Sequence, residues 1–267
     1  VFRLKTWEIP QASRTAKGQA IVNLLQLKPE ERITAMFPVE KNNEATKYYF
    51  MATTGGTVKK TPIEDFANVR ASGLIAIKLK ENEQLAWVEP TTGKDHLMLV
   101  TAQGQSVMFA ESDVRPMGRA SQGVRGIKLK GDDRVVQLLK IPEAEGSIFV
   151  LAKNGYGKMS KKKEFAAQKR GGSGVRIAKV TQKTGKLVGA RFMYIPEDSG
   201  ADIMVTSTQG QIIRLPVKSI PTIGRSTQGV IMMRLDKEDY VVSFALYKED
   251  TVGTEAISVE EKATLAL

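Results

Sequence analysis

A pair of glycines recurs along the chain at a nearly fixed offset, and this constrains the fold more than any other feature. The first of each pair stands in a turn before a short strand-like run: Gly55 before Thr57-Val58-Lys59-Lys60, Gly104 before Ser106-Val107-Met108-Phe109, Gly155 before Gly157-Lys158-Met159, and Gly210 before Ile212-Ile213-Arg214-Leu215. The second follows 18 or 19 residues later, at Gly73, Gly123, Gly174 and Gly229, and precedes an alternating run such as Ile75-Ala76-Ile77-Lys78-Leu79. Gly18, before Ala20-Ile21-Val22-Asn23-Leu24, is a fifth second glycine whose partner would fall upstream of Val1, so the chain is read as a fragment that opens inside a unit. Self-similarity at such a period marks a repeat architecture built from one supersecondary unit.

Each unit continues through an acidic turn (Glu30-Glu31, Glu81 with Glu83, Asp132-Asp133, Asp236 with Asp239) into a strand such as Arg134-Val135-Val136-Gln137-Leu138. Most close on a fourth apolar run: Tyr49-Phe50-Met51-Ala52, Leu97-Met98-Leu99-Val100, Ile148-Phe149-Val150-Leu151 and Ile203-Met204-Val205. Short runs rich in Val, Ile and aromatics between Gly, Asp and Asn read as strands, and no helical period runs longer than about two turns. The chain is therefore expected to be all-β, a propeller-like disc of four-stranded blades, about five of them visible. Radial stacking hides strand edges that would otherwise invite aggregation. The units are placed at about 1–53, 54–101, 102–152, 153–207 and 208–250, with 251–267 as a tail or closing segment.

Charge is segregated within the unit. Forty Lys and Arg against 29 Asp and Glu give a net charge of +11 and suggest a polyanionic partner. The positive charge lies between the two glycines and in the run after the second: Lys59, Lys60, Arg70, Lys78 and Lys80 in one unit, Arg115, Arg119, Arg125, Lys128 and Lys130 in the next. Residues 153 to 179 hold nine Lys or Arg, among them Lys158, Lys161, Lys162, Lys163, Lys169, Arg170 and Arg176, and one acid, Glu164. An Arg recurs three or four residues before each second glycine (Arg14, Arg70, Arg119, Arg170, Arg225), followed by small residues that let a backbone approach a phosphate. From this basic band the candidate DNA-contacting residues are Arg14, Lys17, Lys59, Lys60, Arg70, Arg119, Arg125, Lys158, Lys161, Lys162, Lys163, Lys169, Arg170, Arg176, Arg214 and Arg225. The competing reading is that the arginines cap carbonyls between neighbouring blades.

The segment Gln168-Lys169-Arg170-Gly171-Gly172-Ser173-Gly174 resembles the Gln-basic-Arg-Gly-Gly-basic-Gly box of the C-terminal domain of the DNA gyrase A subunit, with Ser173 where a basic residue is typical. Asn154-Gly155-Tyr156-Gly157-Lys158, Gly224-Arg225-Ser226-Thr227-Gln228-Gly229-Val230 and the run from Ala16 to Leu25 are similar to the same family. In that family the box lies in the first blade; here the copy sits in the fourth unit. The resemblance implies a β-pinwheel whose blades exchange a strand, and duplex DNA as partner. It further implies two protein partners, the gyrase B subunit and the rest of the gyrase A subunit, in a bacterial, nucleoid-associated cytoplasmic location. The topoisomerase IV C-terminal domain is the rival within the class, and a propeller used as a protein-interaction platform the rival outside it.

Nothing in the sequence points to catalysis or to a cofactor. His96 is the only histidine and there is no cysteine, so neither a metal site nor an acid–base pair is in view, and the histidine is placed in a turn after Gly93-Lys94-Asp95. Asp132-Asp133 falls where most units carry acids, which favours a hairpin turn over a Mg²⁺ site. Gly155-Tyr156-Gly157-Lys158 lacks the spacer and the Ser or Thr of a phosphate loop. No apolar run approaches the roughly 18 residues that span a bilayer, so no membrane partner is expected.

Overall fold

A computed structural model describes every residue of the chain except 14, 30, 40–44, 82 and 249–267. Its strands, in chain order, are β1 (Tyr48–Thr53), β2 (Thr57–Pro62), β3 (Leu85–Thr91), β4 (His96–Thr101), β5 (Gln105–Ala110), β6 (Val124–Arg125), β7 (Val135–Ile141), β8 (Gly146–Ala152), β9 (Tyr156–Lys161), β10 (Val175–Arg176), β11 (Leu187–Tyr194), β12 (Asp202–Ser207), β13 (Ile212–Pro216), β14 (Val230–Ile231) and β15 (Val241–Tyr247). The only other regular elements among the described residues are short 3₁₀ turns, four of which follow β2, β5, β9 and β13 directly.

The strands form four antiparallel sheets, in the orders β3-β1-β2-β6, β10-β5-β4-β7, β11-β8-β9-β14 and β13-β12-β15. The first two strands of each sheet are a hairpin, and the third returns beside the first. The fourth comes from elsewhere. β6 follows β5 in the chain but pairs with β2 of the preceding sheet; β10 follows β9 but pairs with β5; β14 follows β13 but pairs with β9. Each sheet from the second to the fourth thus donates a two-residue strand to the one before it, which is the exchange that defines a β-pinwheel.

The core lies between sheets. Leu97 and Leu99 face Phe50, Val58 and Ile127 on one side of β4, while Met98 and Val100 face Ile148 and Val150 on the other. Phe149 and Leu151 in turn pack with Ile203 and Val205 of the fourth sheet. A strand buried on both faces needs an unbroken apolar run, which is why Leu97-Met98-Leu99-Val100 shows no polar alternation.

Glycine is required where a donated strand meets its host. At the β10–β5 joint, Gly174 has φ +72° and a Cβ there would lie 2.1 Å from the carbonyl oxygen of Ser106. At the other end of the joint Gly104 has φ +78°, accepts from the Ile177 amide at 2.9 Å, and would put a Cβ 2.3 Å from the carbonyl oxygen of Ala178. A clamp therefore joins the first glycine of one unit, on the host hairpin, to the second glycine of the next unit, beside the guest strand.

Several expectations are corrected here. The turn glycine of the first complete sheet is Gly56, which has φ +81°, not Gly55. Four of the five expected units form sheets among the described residues, and the described residues before Lys47 hold two 3₁₀ turns. Each sheet begins one strand before its turn glycine, so the divisions at 53/54, 101/102, 152/153 and 207/208 fall at or beside hairpin turns rather than between sheets. His96 opens β4 instead of lying in a turn. The tail at 251–267 lies outside the described residues.

Candidate nucleic-acid interface

Packing distinguishes an inner and an outer edge in every sheet. β7 lies against β3 and β11, and β11 against β15, so the third strand of each sheet faces its neighbours. The donated strands β6, β10 and β14 sit at the opposite edge. That outer edge carries the segments between the Arg loops and the lysines that follow them.

Backbone hydrogen bonds stitch these segments into a continuous belt. The amide of Lys78 donates to the carbonyl of Ser121 at 3.1 Å, that of Lys128 to Gly172 at 2.8 Å, and that of Lys179 to Thr227 at 2.9 Å. Each bond joins one donated segment to the Arg loop that leads into the next. Gly171 adds a bond to the carbonyl of Gly126 at 2.6 Å. At the near end Leu74 and Val1 exchange a pair of bonds, of 2.9 and 2.7 Å, in the manner of a donated strand and its host.

The side chains along this belt are mostly basic. Arg70, Arg125 and Arg176 are exposed and make no side-chain hydrogen bond or ion pair among the described residues. Arg119 is half-buried and equally unpartnered. Arg70 and Arg119, from successive Arg loops, line one open cleft of about 820 Å³ together with Ser72, Gly73, Gly118 and Ser121, with Asp65 as the only acid. Lys17, Lys161, Lys163 and Lys169 are also exposed and make no side-chain hydrogen bond or ion pair among the described residues. The acids are spent elsewhere: Glu83 accepts from Thr53 and Thr57, Asp133 from the amides of Gln103 and Arg134, and Asp239 from Thr208, Gln209 and Tyr240. Burial alone would raise the Asp239 carboxyl, but hydrogen bonding from the Ser207 and Thr208 side chains and from the amides of Gln209 and Tyr240 brings it down to about 2.

Not every expected contact residue is on the surface. Lys59, Lys60 and Lys158 are corrected to interior positions. Lys59 Nζ donates to the carbonyls of Ala76 and Arg119, both at 2.5 Å, and Lys158 Nζ to those of Gly224 and Arg225, both at 2.7 Å. Lys60 Nζ bonds the carbonyl of Glu111 and faces its carboxylate at 3.9 Å. Lys162 Nζ is held by the carbonyls of Pro142, Glu143 and Ala144, and Arg214 is paired with Asp202. Arg170 bonds the carbonyls of Asp113 and Arg125, and Arg225 that of Arg176, so for these two the carbonyl-capping alternative applies. In the box-like segment Gln168–Gly174, Gly171 and Gly172 serve the belt, Lys169 and Ser173 are exposed, and Gln168 donates its amide to Met108. Arg14 lies outside the described residues. No group of three or more His, Cys, Asp or Glu among the described residues is placed to hold a metal.

One set was missed as a set. Lys78, Lys128, Lys179 and Arg234 each stand five residues after a second glycine and are exposed. The constant offset was available in the sequence and is a cleaner signal than local charge density.

These features define a strand-exchanging β-propeller relative with a basic outer edge. The match to known proteins is more particular. The family model for the DNA gyrase C-terminal domain, described as a beta-propeller, matches residues 1–40, 47–92, 95–142, 146–192 and 201–248, and the chain belongs to that family. The DNA gyrase A subunit of Klebsiella oxytoca is 40% identical over 98% of this chain, and that of Escherichia coli K12 is 42% identical over 91%. The chain spans only 29% and 27% of the lengths of those two relatives. Among solved structures, the C-terminal domain of DNA topoisomerase IV superposes with a TM-score of 0.78 at 28% identity, covering 86% of this chain and 70% of that one. A DNA gyrase A C-terminal domain follows at 0.74 and 26%, covering 87% and 76%.

Proposed function

We propose that this chain binds duplex DNA without reading its sequence and bends it along the outer edge, supporting ATP-dependent negative supercoiling by a whole gyrase. In that setting its partners are the gyrase B subunit and the remainder of the gyrase A subunit, in the bacterial cytoplasm at the nucleoid. The chain itself carries no catalytic step. The observation that supports this is the belt: one hydrogen-bonded backbone track that carries Arg70, Arg125 and Arg176, exposed and without side-chain partners among the described residues.

Each neutralised phosphate contributes about −0.9 to the slope of log affinity against log salt, so about eight contacts make binding collapse over a modest salt range. Bending a 20 to 30 base-pair site by 40 to 90° costs on the order of 1–6 kcal/mol, which charges spread along a curved edge offset as they reach further phosphates. Specificity then comes from deformability alone.

The test is binding to linear and circular duplex at graded salt, with topology read after ligation. Lys161, Lys163 and Lys169 are changed together to Glu, sparing Lys162 and Arg170, whose groups hold backbone. Weakened binding by the triple variant, together with a changed linking number produced by the unaltered chain, supports the proposal. Full affinity in the triple variant favours a protein-interaction platform.

A further inference from the structure

Three residues after the turn glycine, the second strand of each sheet places Lys59, Val107, Lys158 or Ile213. Val107 and both lysines are fully buried. Since aliphatic side chains fill this place in two sheets, the strand does not need an amine there, and an ammonium buried in place of an aliphatic group is unfavourable unless its protons are used. They are used on the outer belt. Lys59 bonds the carbonyl of Arg119, and Lys158 those of Gly224 and Arg225, while Glu164 takes the Arg225 amide at 2.8 Å. Neither amine has an ion-pair partner among the described residues. Where Val107 stands, no amine lies beneath the corresponding loop, and the Arg170 guanidinium on the carbonyls of Asp113 and Arg125 holds it from outside, as the Arg225 guanidinium on the Arg176 carbonyl also does for its own loop.

We propose that Lys59 and Lys158 are positioning residues that fix the Arg119 and Arg225 loops from beneath, so that these loops meet phosphate already ordered. This rests on the DNA-binding reading. A loop ordered in advance does not lose its conformational freedom on binding, and that saving appears as affinity.

The test uses Lys59→Val and Lys158→Val, which install the side chain that Val107 already supplies at the same register position, with Lys158→Met as a second variant of similar length. Amide exchange without DNA is expected to quicken at 118–123 and 224–229 and to stay unchanged at 168–174. Duplex affinity is expected to fall about two- to tenfold per variant, the cost of ordering one loop. The salt slope is expected to hold, because neither amine touches a phosphate. Unchanged exchange, or faster exchange with unchanged affinity, overturns the proposal. So does the collapse of melting in both Lys158 variants, which would make the amine part of the fold's core. A wild-type chain that fails to bind duplex sinks the DNA reading and this proposal with it, a result that the affinity of the unaltered chain distinguishes from the others.

Discussion

Nη1 of Arg225 donates to the carbonyl of Arg176 at 2.9 Å, across the boundary between two successive units. Arg170 makes the matching bond to Arg125 at 3.1 Å. In these two units the recurrent arginine is thus bound to the backbone of the segment that carries the preceding exposed arginine. Arg225→Ala is expected to lower stability by about 1 kcal/mol, the worth of one such hydrogen bond, and to weaken duplex binding as well. Arg225→Lys should keep the charge but lose the fork, and so recover binding only in part. Denaturant melts and duplex titration of both variants check this; equal binding by Arg225→Lys and the unaltered chain would contradict it.

The clamp at each exchanged strand gives a local prediction. Gly174→Ala forces a side chain into φ +72° and against the Ser106 carbonyl. The backbone strain alone is worth about 1–3 kcal/mol. Exchange should rise at Val175–Arg176 and at their partners Gln105 and Ser106, with the remaining sheets protected. Gly200→Ala, which meets nothing within 4 Å, is the control and should be neutral.

Lys60 and Glu111 join the first and second sheets in the interior. The Glu111 carboxylate also accepts from Thr91 at 2.7 Å and from the Gly93 amide at 2.8 Å. Glu111→Gln leaves Lys60 charged and buried without a counter-ion, and the expected loss is on the order of 3 kcal/mol. Chemical denaturation should show a lower midpoint with an unchanged slope. A loss well below about 1 kcal/mol would show that the pair contributes little.

Alkaline pH gives a test of the buried Lys59 and Lys158. Burial lowers the Lys59 and Lys158 amines from 10.5 to about 8, with Asp65 and Glu164 opposing the shift and Arg119 and Arg225 adding to it. Between about pH 8 and 10.5 the unfolded chain then holds more protons than the folded one, so these two groups make stability rise with pH across that window. Below pH 8 both states are protonated and the cost of burying the charge is fully felt. The melting temperature of the unaltered chain should therefore gain on that of the Lys59→Val, Lys158→Val double variant between about pH 7 and about pH 10. A difference that does not change with pH contradicts the assignment.

Strand content, repeat length and the acidic hairpin turns could be read from residue order because each depends on local chemistry: apolar runs, glycines that permit positive φ, carboxylates beside amides. The destination of the donated strand could not. Val124, Val175 and Val230 look like strands of their own units, and it is their pairing with β2, β5 and β9, with the backbone crowding at Gly123, Gly174 and Gly229, that shows they belong to the preceding sheet. Composition also could not separate Lys158, sealed under a loop, from Lys161, exposed three residues later. Comparing register positions would have helped, since Val107 and Ile213 mark that place as interior, whereas the offset of five after the second glycine holds a basic residue in four units.

The salt dependence of duplex affinity for Lys78→Gln, Lys128→Gln, Lys179→Gln and Arg234→Gln, singly and together, tests most directly whether the outer belt is a phosphate track. Each single change should reduce the magnitude of the slope by about 0.9, and the four together by about 3.6. A quadruple variant with the slope of the unaltered chain would show that DNA, if it binds at all, binds on another face.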